Sequence, residues 1–210
     1  IKYSPKKIFV IEKDENLALK LSNNFKNEIE VINNDILMIN EKKIDNDELV
    51  VFGNLPYNIS TPLIFKLLTH LPIVRDMHFM LQREVVDRLA ARPGSKHWGR
   101  LSVMTQVDCD VEHLFDVPPE AFYPQPKVQS AIVRLTPKMT SRRPECSREE
   151  LGKLVQLAFA QRRKTLRNNL RGVIDDSVMQ RLGIDPACRA EMLTLDQLMD
   201  FSLELPRAAI

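Results

Sequence analysis

No stretch of the sequence approaches the roughly 18 consecutive apolar residues that a membrane-crossing helix requires, and its opening, IKYSPKKIFVIEKDEN, has no apolar run of the signal-peptide kind. A cytoplasmic protein with no membrane partner is expected. Cysteine is scarce: Cys109, Cys146 and Cys188 are odd in number and far apart, with no CxxC pair and no histidine at metal-ligand spacing. That pattern argues against a disulfide framework and against a zinc site, and no metal is expected. A surplus of one charge is also lacking, because the net charge is only +2. An anionic partner would therefore have to be recognised by where the charges lie. Arginine is absent from residues 1–60, which hold eight lysines and ten asparagines, whereas residues 61–210 hold sixteen arginines and six lysines. Local drift in composition and a join between two parental sequences near residue 60 both account for that shift.

What is present reads as an ordinary globular chain, 44% hydrophobic and 28% charged. Ile8-Phe9-Val10-Ile11 is a short continuous apolar run, as expected for a strand covered on both faces. Asp14 is a plausible N-cap for a helix through DENLALKLSNNFK, with Leu17, Leu19, Leu21 and Phe25 as its broadly apolar face. EIEVINNDIL and ELVVFGN read as further strands, STPLIFKLLTH as a helix with Pro62 just inside its start, and DMHFMLQREV as a fourth strand entering the helix REVVDRLAA. This alternation implies a mostly parallel sheet. CDVEHLFDV and SAIVRLTPK are too close for a crossover helix and should form an antiparallel pair at the sheet edge. From Ser147, which makes a capping box with Glu150, the pattern is helical only. The expected architecture is thus an α/β domain over residues 1–140 and a small all-helical domain over 145–210.

Acidic residues end the first two strands. Glu12 stands where a carboxylate bonds the ribose hydroxyls of a nucleoside cofactor in open parallel sheets, and Asp35 could accept from an adenine amine. The third strand ends in Asn54-Leu55-Pro56-Tyr57. An exocyclic adenine amine is a poor nucleophile, since its lone pair is delocalised into the ring. Acceptors on its two N–H groups, such as the Asn54 amide oxygen and the Leu55 carbonyl, would draw it towards tetrahedral geometry. Pro56 fixes φ, and Tyr57 offers a face for an extruded base. The same four letters also suit a plain turn after a strand.

In order along the chain, VFGNLPYNIST, MHFMLQREVVDRL, GRLSVMTQ, VPPEAFYPQPKVQSAIVRL and AFAQRRKTLRNNL make the sequence resemble the small-subunit ribosomal RNA adenine dimethyltransferase family. The resemblance covers nearly the whole chain from residue 8. It implies a Rossmann-like class I methyltransferase sheet and S-adenosylmethionine as methyl donor, with Glu12 on its ribose, Asp35 and Ile36 at its adenine, and Asn54 shared between donor and target. It implies that Phe122 closes over the target base opposite Tyr57. The substrate it implies is a pair of adjacent adenines in the 3′-terminal stem-loop of 16S rRNA within the pre-30S particle; a monomer is expected. Arg162, Arg163, Lys164, Arg167 and Arg171 lie in an acid-free segment. Read as a helix, that segment puts Lys164, Arg167 and Arg171 on one face and Leu166 and Leu170 on another, a basic ridge suited to phosphates.

One departure stands out. The family begins with a QNFL-like segment and carries a GxGxG-type loop after its first strand, whereas the six glycines here form no such loop. The strand that precedes that loop is central in the family's sheet, so two strand edges are expected to be left unpaired, and the 210 residues are expected to be part of a longer chain and, as they stand, to bind the donor weakly or not at all. Two alternatives remain beside the small-subunit enzyme: a non-catalytic assembly factor that binds pre-30S particles, and a methyltransferase of large-subunit rRNA.

Overall fold

The computed structural model describes residues 5–39, 48–56, 58–68, 73–138 and 147–205. Within these, strands and helices alternate up to residue 106: β1 (Phe9–Glu12), α1 (Glu15–Asn24), β2 (Glu30–Asn33), β3 (Leu49–Asn54), α2 (Ser60–Leu67), β4 (Val74–Gln82), α3 (Arg83–Leu89) and α4 (Arg100–Gln106). β5 (Cys109–Val117) and β6 (Ser130–Pro137) follow, then only helices: α5 (Arg148–Ala158), α6 (Leu166–Asn169), α7 (Asp176–Arg181) and α8 (Leu195–Ser202). Local chemistry explains many of the ends. The Asp14 carboxylate accepts from the Leu17 N–H at 2.9 Å to open α1, Ser147 and Glu150 form the expected capping box of α5, and Thr194 with Gln197 forms another at α8. Gly183, at φ +70°, lets the chain turn away after α7.

The strands form two sheets among the described residues. β1 and β2 pair in parallel, and separately the order β3-β4-β6-β5 combines one parallel pair, the expected antiparallel β5-β6 edge and an antiparallel β4-β6 pair, so the sheet is mixed where a mostly parallel one was expected. Among the described residues β1 and β3 each keep one edge without a strand partner. Phe52 of β3 is 73% exposed even though it stacks on His78 at 4.9 Å between ring centroids. The face of α1 differs from expectation: Ala18 is the buried residue, and Leu17, Leu19 and Phe25 are exposed. Positions 17 and 19 lie about 200° apart around a helix, so they cannot share its packed face.

Lys66 of α2 ties the small sheet to the larger one. Its ammonium donates to the carbonyls of Ile36 (3.1 Å), Leu37 (2.9 Å) and Ile39 (2.6 Å), gripping the short 3-10 turn at Ile36–Met38 that follows β2. Substituting Lys66→Met leaves those carbonyls without this donor, at an expected cost of about 1–3 kcal/mol. Hydrogen exchange should report it as lost protection of the Leu37 and Met38 amides. Unchanged protection would mean that the Asp35 cap holds the turn alone.

Two apolar cores share one helix. The first packs Met77, Phe79 and Leu81 of β4 with Val133 and Leu135 of β6 and Leu63 and Ile64 of α2. The second gathers Leu151, Leu154, Leu166, Leu198 and Phe201 around Trp98. α4 sends Leu101 into the first core and Val103 and Met104 into the second. It is clamped to α3 by Ser102, whose hydroxyl donates to the Arg88 carbonyl, and by Gln106, whose amide donates to the carbonyls of Leu89 and Ala91. Cys109 is buried in the first core, Cys188 is half-buried and both are free thiols; Cys146 lies outside the described residues.

Candidate active site and RNA face

The end of β3 is built around Gly53. A Cβ there would lie 2.7 Å from Leu55 Cδ2 and 3.3 Å from the Phe79 ring, so only glycine lets Leu55 fold back into the core immediately after the strand. Leu55 is buried as a result, while Asn54 and Pro56 on either side of it are exposed. The Pro56 carbonyl accepts from the Ile59 N–H and from the Ser60 hydroxyl, each at 3.1 Å, which turns the chain into α2. The Asn54 side-chain amide and the Leu55 carbonyl have no hydrogen-bond partner among the described residues. Two acceptors therefore stand side by side with no hydrogen bond to the other described residues. Tyr57 lies outside the described residues.

Phe122 reaches the same end of the sheet by a different route. Asn54 pairs with Met80 across β3 and β4, and Gln82 pairs with Ser130 across β4 and β6, so the connection from β5 to β6 leaves the sheet where β3 ends. Phe122, half-buried and extended, sits in that connection just after a short turn at Pro119–Ala121. Arg83 holds both feet of it: its backbone N–H donates to the Gln129 carbonyl at 2.9 Å and its guanidinium bonds Asp116 and, at 2.8 Å, Asp87. The hydrogen bond to Asp87, then that to Asp116, raises the Arg83 pKa and keeps the guanidinium charged. His113 adds a 2.8 Å contact to Asp116. Only Asp87, four residues on from Arg83, is legible locally as its partner; Asp116 lies across the sheet.

Glu12 and Asp35 end the two parallel strands of the small sheet. Glu12 accepts from the Asp14 N–H at 2.8 Å through one carboxylate oxygen, and the Asn33 amide donates to the Glu12 and Lys13 carbonyls across the strand pair. Asp35 caps the Leu37 N–H with one oxygen and pairs with Lys13 at 2.9 Å through the other. The hydrogen bond from Lys13, then that from Leu37, holds its carboxyl below the usual range. Ile36 is half-buried beside it. Carboxylates at the carboxyl ends of parallel strands suit the hydroxyl and amine donors of a nucleoside, so this donor set fits such a cofactor. Among the described residues no cluster could hold a metal ion. A shallow groove of about 540 Å³ between α2, α4 and α5, lined by Phe65, Arg100, Met104, Arg148, Glu149 and Gly152, involves none of the residues singled out from the sequence.

The basic segment departs from the single helix read in the sequence. α5 ends at Ala158, residues 159–165 form turns, and only Leu166–Asn169 is helical. The Asn169 amide donates to the Ala158 and Gln161 carbonyls, while the Cys188 and Pro186 carbonyls take the Leu166 and Arg167 N–H groups. These long-range partners replace the helical bonds that would have run through Arg162, Arg163 and Lys164. The five cations are thereby sorted. Arg162 is turned inward onto the carbonyls of Lys96 and Trp98, with Glu191 at 3.5 Å, and Arg167 pairs with Asp176 at 2.6 Å. Arg163, Lys164 and Arg171 are exposed with no ion pair among the described residues.

Comparison with known proteins places this geometry. Residues 1–206 match the sequence profile of the family described as ribosomal RNA adenine dimethylase. Ribosomal RNA small subunit methyltransferase A of Saccharophagus degradans is 59% identical over 154 residues, which cover 73% of this chain and 58% of that protein. The protein of the same name from Methylococcus capsulatus is 47% identical over 199 residues, 93% of this chain and 77% of its own length. The crystal structure of a dimethyladenosine transferase from Plasmodium falciparum superposes with a TM-score of 0.80 at 27% identity, covering 95% of this chain and 82% of that one. The architecture is that of the class I methyltransferases, and the chain belongs to the ribosomal RNA adenine dimethylase family.

Proposed function

We propose that the protein is a 16S rRNA adenine N6,N6-dimethyltransferase, acting on two adjacent adenines of the 3′-terminal stem-loop in the pre-30S particle, with S-adenosylmethionine as donor. The observation that carries this reading is the pair of acceptors at the end of β3: an exposed Asn54 amide beside a Leu55 carbonyl, neither hydrogen-bonded among the described residues. Bound there, an adenine would donate one N6–H to each, and its lone pair would be released from the ring and aimed at the incoming methyl. Glu12 and Asp35 would hold the nucleoside part of the donor, which supplies a sulfonium-bound methyl group. The N–C bond forms as the S–C bond breaks, and the surplus N6 proton leaves to solvent. Phe122, on a connection fixed by Arg83, would cover the base, a stacking contact worth roughly 1–3 kcal/mol. Tyr57 is assigned the opposite face of the base.

The RNA backbone is assigned to Arg163, Lys164 and Arg171, the members of the basic segment without ion pairs. Arg162 and Arg167 serve the fold first. Among the described residues no helix is long and apolar enough to cross a membrane, and a cytoplasmic site of action agrees with a ribosomal substrate. The names of the curated relatives, and the resemblance of GRLSVMTQ and QRRKTLRN, favour the small subunit over the large. A second reading, an assembly factor that binds pre-30S particles without turnover, is favoured by one feature: Glu12 and Asp35 lie on a sheet separate from Asn54.

Incubation of the chain, whose donor affinity is expected to be weak, with unmethylated small-subunit RNA and donor in large excess, followed by mass analysis of nuclease fragments, separates the two. Two methyl groups on each of two neighbouring adenines is the expected result. RNA binding with no mass increase would leave the assembly-factor reading standing in its place.

A further inference from the structure

Several cations are paired within the protein: Arg75 with Glu48, Arg134 with Asp76, Lys138 with Asp110 and Arg181 with Glu204. The connection between α3 and α4 is different. Residues 91–100, ARPGSKHWGR, contain no acid, and Arg92 and Lys96 are exposed with no ion pair among the described residues. Yet this connection is not loose. The Ser95 N–H donates to the Arg92 carbonyl and the Trp98 N–H to the Ser95 carbonyl, each at 3.1 Å, folding it into two tight turns. It is then fastened to the helical part at three points: the Gly94 N–H donates to the Glu191 carbonyl at 2.6 Å, the buried Trp98 indole to the Leu193 carbonyl at 3.1 Å, and the Arg162 guanidinium to the Lys96 and Trp98 carbonyls.

The last of these contacts is decisive for function. Arg162 lies in the acid-free turn that also carries Arg163 and Lys164, so its inward guanidinium sets one acid-free basic segment against another. A cation placed on a carbonyl pair, with Glu191 balancing its charge, is a strut, and the residues next to it are left facing outward. We infer that the 91–99 connection is part of the RNA-binding face: Arg92 and Lys96 join Arg163 and Lys164 in one surface for the phosphodiester backbone, and Arg162 is the strut that assembles it. The inference rests on the proposed rRNA substrate. Four cations held on short, tied turns lose little freedom when they meet phosphates, and each contact adds a counterion-release term to binding.

The test is the salt dependence of binding to deproteinised small-subunit rRNA for the parent chain and three double variants. R92Q/K96Q and R163Q/K164Q remove two charges each from the inferred face; K20Q/K26Q removes two exposed charges in or just after α1. Each lost phosphate contact should reduce the slope of log K against log salt by about 0.7–0.9. The expected result is a reduction of roughly 1.5 for R92Q/K96Q, a similar one for R163Q/K164Q and none for K20Q/K26Q. A parental slope in R92Q/K96Q beside a reduced one in R163Q/K164Q would overturn the inference and leave the proposed substrate intact. A parent chain whose rRNA binding shows no salt dependence would overturn both. Equal reductions in all three would reduce the effect to net charge and also overturn the inference.

Discussion

Replacing Asn54 by alanine is expected to lower methyl transfer by roughly 10²–10³-fold, the loss typical when one preorganised polar group is removed from a reacting centre, while rRNA affinity stays within about twofold of the parent because the phosphate contacts lie elsewhere. The split follows from position. Asn54 is exposed at the last residue of β3 and its amide makes no hydrogen bond among the described residues, so its removal should change stability by no more than about 0.5 kcal/mol. What is lost is an acceptor that an adenine N6–H needs only as its nitrogen becomes tetrahedral. An interaction that strengthens towards the transition state appears in kcat, and one made equally in the ground state appears in KM. Single-turnover transfer of labelled methyl groups, with binding measured in parallel on the same RNA, reads both. Turnover within a few-fold of the parent would remove Asn54 from the chemistry, and a matching loss of affinity would recast it as a binding residue.

The strands were the readable part of this protein, for a definite reason. β1 and β3 are short apolar runs ended by an acid or an amide, and the β5–β6 pair is betrayed by a connection too short for a crossover. Such patterns are local. The NLPY turn is local as well: Asn, Pro and the preceding Gly53 carry their geometry in the chain itself. The basic segment shows where local reasoning stops. FAQRRKTLRNNL has no helix breaker, and its propensities favour one continuous helix. The structure ends α5 at Ala158 because partners some twenty residues away, the Pro186 and Cys188 carbonyls, take the N–H groups of Leu166 and Arg167, and Asn169 reaches back to α5. Nothing within the segment announces that. The same holds for Arg162, whose role depends on a connection more than sixty residues earlier, and for Arg83, whose partner Asp116 lies across the sheet. α4 was legible only as the motif GRLSVMTQ, since its residues face two cores and so show no single apolar stripe.

The place where those two cores meet supplies the largest stability effect. Asp108, buried in the turn between α4 and β5, pairs with Arg148 at the first residue of α5, and the same guanidinium donates to the Met104 carbonyl at 3.4 Å. The Asp108 carbonyl also accepts the Lys138 N–H at the end of β6, so one residue anchors the end of the sheet to the start of the helical part. Burial pushes the Arg148 pKa down, yet an arginine stays charged at neutral pH. Asp108→Ala therefore strands a partly buried cation, and the expected cost is about 3–5 kcal/mol, lowering Tm on the order of 10 °C for a chain of this size. Trp98, the single tryptophan and fully buried in the second core, makes its fluorescence the natural readout. The reverse substitution, Arg148→Met, removes this partner of the Asp108 carboxylate and is expected to destabilise as well. The double variant Asp108→Ala/Arg148→Met, with neither charge left, should recover most of the loss. A double variant as unstable as the sum of the singles would mean that the two residues act separately and that this ion pair does not join the sheet to the helical part.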